Sequence, residues 1–218
     1  MRLILCIFCA GCFFLLISCS KQQDKIATEP SFKMLEFKKS SFPSSLVYKG
    51  SVVQGLHWSD KNGDNYFLLT EENATEKFDS LNDMYFRTKY WHGYHFANNK
   101  SSDYKLLREF TDFVKDCEFD LVHEFLADYF TVTDNDKNNI GEVTVIYLKN
   151  CVSDVSPDDI ILLMFENGSK YAIKGLTSVN VPGLSIKGER KVDASFNSAV
   201  PVLKEYAITM FDRAAGIK

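Results

Sequence analysis

No basic run occurs anywhere in this 218-residue chain, which lacks the electrostatic footprint of a nucleic-acid binder. Lysine and arginine number 25 against 29 aspartate and glutamate, a formal charge of −4. The same balance excludes docking on anionic lipid through charge. Gly-x-Ser-x-Gly, a phosphate loop and a Cys–His nucleophile context are all absent. Histidine is scarce and scattered: His57, His92, His95 and His123. His92 and His95 could pair on zinc only from a helix, because three residues along a strand puts them on opposite faces. No Gly/Pro/Ser-rich linker divides the chain. Carboxylates are plentiful, but no pair stands out as a glycosidase pair.

What is present begins with an address. Arg2 precedes the uncharged apolar run Leu3 to Ile17, the length of a secretory signal and short of the ~20 residues of a membrane span. The run ends in "LISC", which resembles a bacterial lipobox with Cys19 as the lipidated residue. Residues 1–18 then read as a lipoprotein signal peptide, with an uncleaved anchor helix as the other reading, and the membrane partner as the bilayer reached through the Cys19 lipid. Bacterial lipoproteins resemble one another in carrying three acyl chains, and at ~0.8 kcal/mol per buried CH₂ such an anchor is stable. Removing residues 1–18 takes away one basic residue, Arg2, and leaves 24 against 29 acidic ones. Ser20, where an Asp resembles an inner-membrane retention signal, favours the outer membrane, facing the periplasm or the cell surface.

Cysteine all but disappears with the signal. Cys6, Cys9 and Cys12 leave with it and Cys19 carries lipid, so Cys117 and Cys151 remain. Two thiols in an exported protein read as one disulfide, with two buried free thiols as the other reading.

Residues 19–42 read as a polar tether, with a short candidate strand at "FKMLEF". Residues 43–218 read as one globular domain, long enough for a sizeable core. Alternating aromatics point to strands. Asn62-Gly63 and Asn167-Gly168 mark hairpin turns. In "MYFRTKYWHGYHFA", Phe86, Thr88, Tyr90, His92, Tyr94 and Phe96 share one face, and Arg87 and Lys89 the other, with Trp91 an apolar exception. "YKLLREFTDFVKDC" is ambiguous, since Leu106, Leu107, Phe110, Phe113 and Val114 also fit helical spacing. "HEFLADYFTVTD" reads as a strand. Val202, Leu203, Tyr206, Ile208, Met210 and Phe211 form a helical stripe, with Pro201 near its start and Gly216 past its end. The expected fold class is β-rich α+β, antiparallel hairpins in one domain with a C-terminal helix.

"TVTDNDKNNIGEVTVIY", residues 131–147, carries the sharpest candidate site. Asp134, Asp136 and Asn138 take positions 1, 3 and 5 of a calcium loop, with the Ile140 carbonyl at 7 and Glu142 at 9. Hard oxygen donors at alternate positions are what Ca²⁺ requires. Position 6 is Asn139 rather than Gly, and position 12 is Val145 rather than Glu. Asp60, Asn62 and Asp64 repeat the pattern more weakly. Turn chemistry explains both loops without a metal, since Asp and Asn cap turns through their own backbone. A glycan-active enzyme would use carboxylates such as Asp60, Asp134 or Glu142, and a glycan-binding module would use Trp58, Tyr90 or Trp91. "DSL", residues 79–81, matches a short O-glycan acceptor pattern.

Four segments in order, "HWSDKNGDN", "DFVKDCEFD", "VTDNDKNNIGEVTVIY" and "CVSDVSPDDI…KYAIKG", resemble a family of Bacteroidota lipoproteins and exported proteins named for surface polysaccharide biosynthesis. The resemblance spans roughly residues 45–176. It implies a role in building lipopolysaccharide or capsule and identifies no catalytic residues. The function expected is that of a non-catalytic outer-envelope lipoprotein, with surface glycan or envelope proteins as partners.

Overall fold

The computed structural model describes residues 31–98 and 103–217. Residues 1–18, read above as a signal peptide, and Cys19 lie outside them. The strands divide in chain order between two antiparallel sheets. The first sheet holds β1 (Lys33–Leu35), β2 (Ser51–Asp60), β3 (Gly63–Glu71), β4 (Thr75–Asp79), β5 (Met84–Asn98) and β6 (Lys105–Cys117). The second holds β7 (Asp120–Phe125), β8 (Thr131–Thr133), β9 (Glu142–Val152), β10 (Asp159–Glu166) and β11 (Ser169–Leu176). A separate hairpin of β12 (Val179–Val181) and β13 (Leu184–Ile186) follows. β14 (Glu189–Val192) returns to the second sheet beside β11, and α1 (Pro201–Ala215) closes the chain. The fold is therefore the expected β-rich α+β domain with a C-terminal helix.

Burial explains the sequence patterns. Trp58, Phe67, Leu69, Trp91 and Phe110 of the first sheet meet Val143, Val145, Tyr147, Ile161, Leu163 and Phe165 of the second. β10 is apolar on both sides: Ile161, Leu163 and Phe165 face the first sheet, and Ile160, Leu162 and Met164 face α1. Alternation fails where a strand is covered twice. The same reason removes the Trp91 exception on β5. Its indole enters the main core, whereas Tyr94 and Phe96 on the other face pack with Phe37, Phe42, Leu46 and Tyr48. Residues 33–35, inside the segment read as tether, pair with β2, and Phe37 and Phe42 cover the outer face of the first sheet.

Four local readings change. "YKLLREFTDFVKDC" is strand β6: Phe110 and Val114 reach the core, while Leu106, Leu107 and Phe113 are exposed. "HEFLADYFTVTD" breaks into β7, a 3₁₀ turn over Ala127–Tyr129, and β8. The first hairpin turns at Lys61-Asn62, not at Asn62-Gly63. Asp60 Oδ1 accepts the Asn62 N–H at 2.8 Å, and Gly63 (φ 126°) opens β3. Asn167-Gly168 turns as read, with φ of 44° and 79°. The buried seam of α1 is Leu203, Ala207, Phe211 and Ala215, at i+4 spacing, whereas Val202 lies at the surface. Pro201 opens the helix and Gly216 (φ 67°) ends it.

The sheets are linked covalently at one end. The sulfurs of Cys117, at the end of β6, and Cys151, near the end of β9, form a disulfide with Cα atoms 5.6 Å apart.

Candidate functional site: carboxylates that join three turns

The end of the domain opposite the disulfide gathers three hairpin turns. They connect β2 to β3, β8 to β9, and β10 to β11. The Lys61 N–H donates to the Asn139 carbonyl at 2.8 Å. Asn62 Nδ2 donates to Asn167 Oδ1 at 3.1 Å. Asn138 Nδ2 donates to Glu166 Oε1 at 2.7 Å. Arg108 Nε on β6 caps the third turn through the Gly168 carbonyl at 2.7 Å.

Asp60 is the centre of the first turn. It is buried, its Oδ2 accepts from Trp58 Nε1 at 2.9 Å and from the Gly141 N–H at 3.1 Å, and its Oδ1 holds the Asn62 N–H. Gly141 is required by the close approach. A Cβ there would lie 2.5 Å from Trp58 Nε1 and 2.9 Å from Val132 Cγ2. Asp64 turns away to His57 Nε2, at 2.8 Å, and to the Tyr104 hydroxyl. Asp60, Asn62 and Asp64 therefore bind different partners and do not form the weaker cation cage expected of them.

The loop between β8 and β9 is built by the spacing that first suggested calcium. Asp136 Oδ1 accepts from the Asn138 N–H at 3.1 Å, and Asn138 Oδ1 from the Ile140 N–H at 2.7 Å. Each polar side chain caps the amide two residues on, which is Asx-turn chemistry. Lys137 (φ 61°) and Asn139 (φ 62°) take the left-handed positions this needs. Asn138, expected as a ligand, works as a fastener between Asp136 and Glu166. Ile140 takes part through its N–H.

Asp134, Asp136 and Glu142 do converge. Each offers a carboxylate oxygen, and these oxygens lie within 4.8 Å of one another. Glu142, at the start of β9, is 0% exposed. Its Oε2 accepts from Thr133 Oγ1 at 3.0 Å and from the Asn135 N–H at 2.9 Å. Its Oε1 is buried without a hydrogen-bond partner, as is Asp134 Oδ1. Burial, with Asp136 and Glu166 nearby, pushes the Glu142 carboxyl up to about 7 against the pull of its hydrogen bonds. Burial also raises Glu166, with Asp136 and Asp134 adding to it. These oxygens can hold a hard cation or a proton. Glu166 and Gly141 were missed in the sequence: Glu166 stands beside a turn already recognised, but only the tertiary fold brings it to Asn138.

The remaining candidates separate. Trp58 and Trp91 are both fully buried, so neither presents a ring to a glycan, while Tyr90 is half-buried beside Phe113, ring centres 5.5 Å apart. His92 contacts Glu72 Oε1 at 2.9 Å and Thr111 Oγ1 at 2.8 Å. His95 points into the core against Trp58, and its Nε2 donates to Asn65 Oδ1 at 3.1 Å. Burial pushes His95 down to about 4. On the flank, Asp112 of β6 bridges to the second sheet, accepting from the Tyr147 hydroxyl at 2.8 Å and pairing with Lys149 Nζ at 2.8 Å. Set against sequence profiles of protein families, curated proteins and solved structures, the chain matches none.

Proposed function

We propose that the protein is an exported, lipid-anchored envelope protein that supports assembly or presentation of surface polysaccharide without catalysing a reaction. The non-catalytic part rests on how two of the candidate carboxylates, Asp60 and Glu142, are held. Both oxygens of Asp60 are taken by Trp58, Asn62 and Gly141. Glu142 exposes no surface, so a sugar ring has no approach to it. General acid–base work needs hydrogen-bond reach to the reacting group. Export is supported by the lipobox and by the disulfide, a bond that persists in oxidising compartments. The polysaccharide role rests on the resemblance of the four sequence segments.

Deletion of the gene tests the role. The expected outcome is surface glycan altered in amount or chain length, restored by the wild-type gene and by Asp60→Asn expressed at wild-type level. Unchanged glycan in the deletion strain overturns the role. A folded Asp60→Asn protein that fails to restore glycan favours the glycan-active enzyme instead.

A further inference from the structure

We propose that Asp134, Asp136 and Glu142 form a site for one hard divalent cation, Ca²⁺, that locks the joined turns at the end of the domain opposite the disulfide. Acidic residues crowd together on many surfaces without binding anything. This cluster differs in having a fully buried member. Glu142 is 0% exposed, yet its Oε1 has no hydrogen-bond partner, and Asp134 Oδ1 is likewise buried and unpartnered. Buried acceptors without partners are rare and unfavourable, and two within one carboxylate cluster call for a common partner. A positive one fits, because the neighbours are negative: Asp136 within the cluster, and Glu166, which the Asn138 side chain ties to Asp136 by one hydrogen bond to each.

The donors are carboxylate oxygens throughout, which suits Ca²⁺ and not the softer ions that prefer sulfur or imidazole. Mg²⁺ would keep several waters, which sits poorly against a side chain that water does not reach. The ligands are held before any ion arrives. Thr133 and Asn135 fix one oxygen of Glu142 and leave the other clear. Asn138 holds Asp136 through both its N–H and its amide. The ligand order departs from the calcium-loop pattern of the sequence: Asn138 supports the site, and Glu142 enters from a strand. The ion would join the loop to β9, whose neighbour Gly141 is bound to Asp60 of the first sheet. This inference does not rest on the polysaccharide role, and each has its own test.

The test uses the full chain in detergent, stripped with EDTA and titrated calorimetrically with CaCl₂. Binding heat with a Kd at or below ~1 mM is expected, within the range of extracellular calcium modules. Asp134→Asn and Asp136→Asn should each weaken binding by at least ~10-fold, no less than the loss of an outer-shell partner typically costs. Asp64→Asn, outside the cluster, should leave binding unchanged. Tb³⁺ supplies a second readout, because Gly141 lies against the Trp58 indole and indole excitation should sensitise the bound lanthanide. A wild-type chain that gives neither heat nor sensitised Tb³⁺ emission at millimolar ion overturns the site, whatever the variants do. So does undiminished binding by both aspartate variants.

Discussion

Asp60 and Gly141 join the two sheets through one hydrogen bond: the Gly141 N–H donates to Asp60 Oδ2 at 3.1 Å across 81 residues of chain. The bond sits where the Trp58 indole shares the same carboxylate oxygen. Removing the acceptor strands two buried donors. Adding a methyl to Gly141 drives a Cβ into the indole. Gly141→Ala should destabilise the domain by roughly 1–3 kcal/mol, the usual cost of overpacking. Urea unfolding followed by tryptophan fluorescence reads it, and a change below ~0.5 kcal/mol would mean the loop yields freely.

The disulfide holds the other end. Cys117 and Cys151 are 34 residues apart in sequence, so the closed loop contributes ~4 kcal/mol in the chain-entropy model. Neither thiol should label in the native, unreduced protein, and both should label after reduction and unfolding. Labelling of both before reduction would contradict the bond. Unfolding with and without reductant should differ by most of that amount.

Helix α1 tests which residues carry its packing. Phe211 is fully buried against the second sheet, whereas Val202 is 40% exposed. Phe211→Ala should cost ~3–5 kcal/mol, and Val202→Ala less than ~0.5 kcal/mol. Thermal unfolding of the two variants checks the order, and equal losses would favour the broader stripe read from the sequence.

Two histidines tie stability to pH. Burial pushes His95 and His123 each down to about 4. Asp60 opposes the shift at His95. At His123, Glu71 and Asp112 oppose it and Lys89 adds to it. Both are neutral in the fold and charge more easily once unfolded. Their contribution is complete above pH ~6.5 and is lost as pH falls toward 4, roughly 2 kcal/mol per histidine between pH 7 and 5. Glu142 works in the opposite direction, since the fold favours its protonated form. Comparison with a His95→Gln variant therefore isolates one histidine. The variant should lose less stability between pH 7 and 5 than the wild type in chelator, and identical acid limbs would contradict the assignment.

Much of the fold was legible because strands and turns are local. The Asn167-Gly168 turn and the helix bounded by Pro201 and Gly216 follow from periodicity and turn residues. β6 was ambiguous because, of its five Leu, Phe and Val residues, Phe110 and Val114 reach the core and the other three lie at the surface in a helix-like pattern. Trp91 looked misplaced because the sequence does not say that β5 is covered on both faces. The alternating Asp and Asn serve two ends: Asp136 and Asn138 cap the amides two residues on in Asx turns, and Asp136 also stands with Asp134 and Glu142. The convergence of Asp134 with Glu142, and the links through Glu166 and Gly141, depend on chain folding across turns and have no local signature.

At this end of the domain the Asp60 carboxylate fastens the two sheets together through the Gly141 amide. Native-state hydrogen exchange at the Gly141 amide tests it most directly. The amide should exchange only with the global unfolding of the domain, and Asp60→Ala should release it to local opening while the β10 and β11 amides stay protected. A Gly141 amide that exchanges in the wild-type protein as fast as an exposed loop amide would contradict the account.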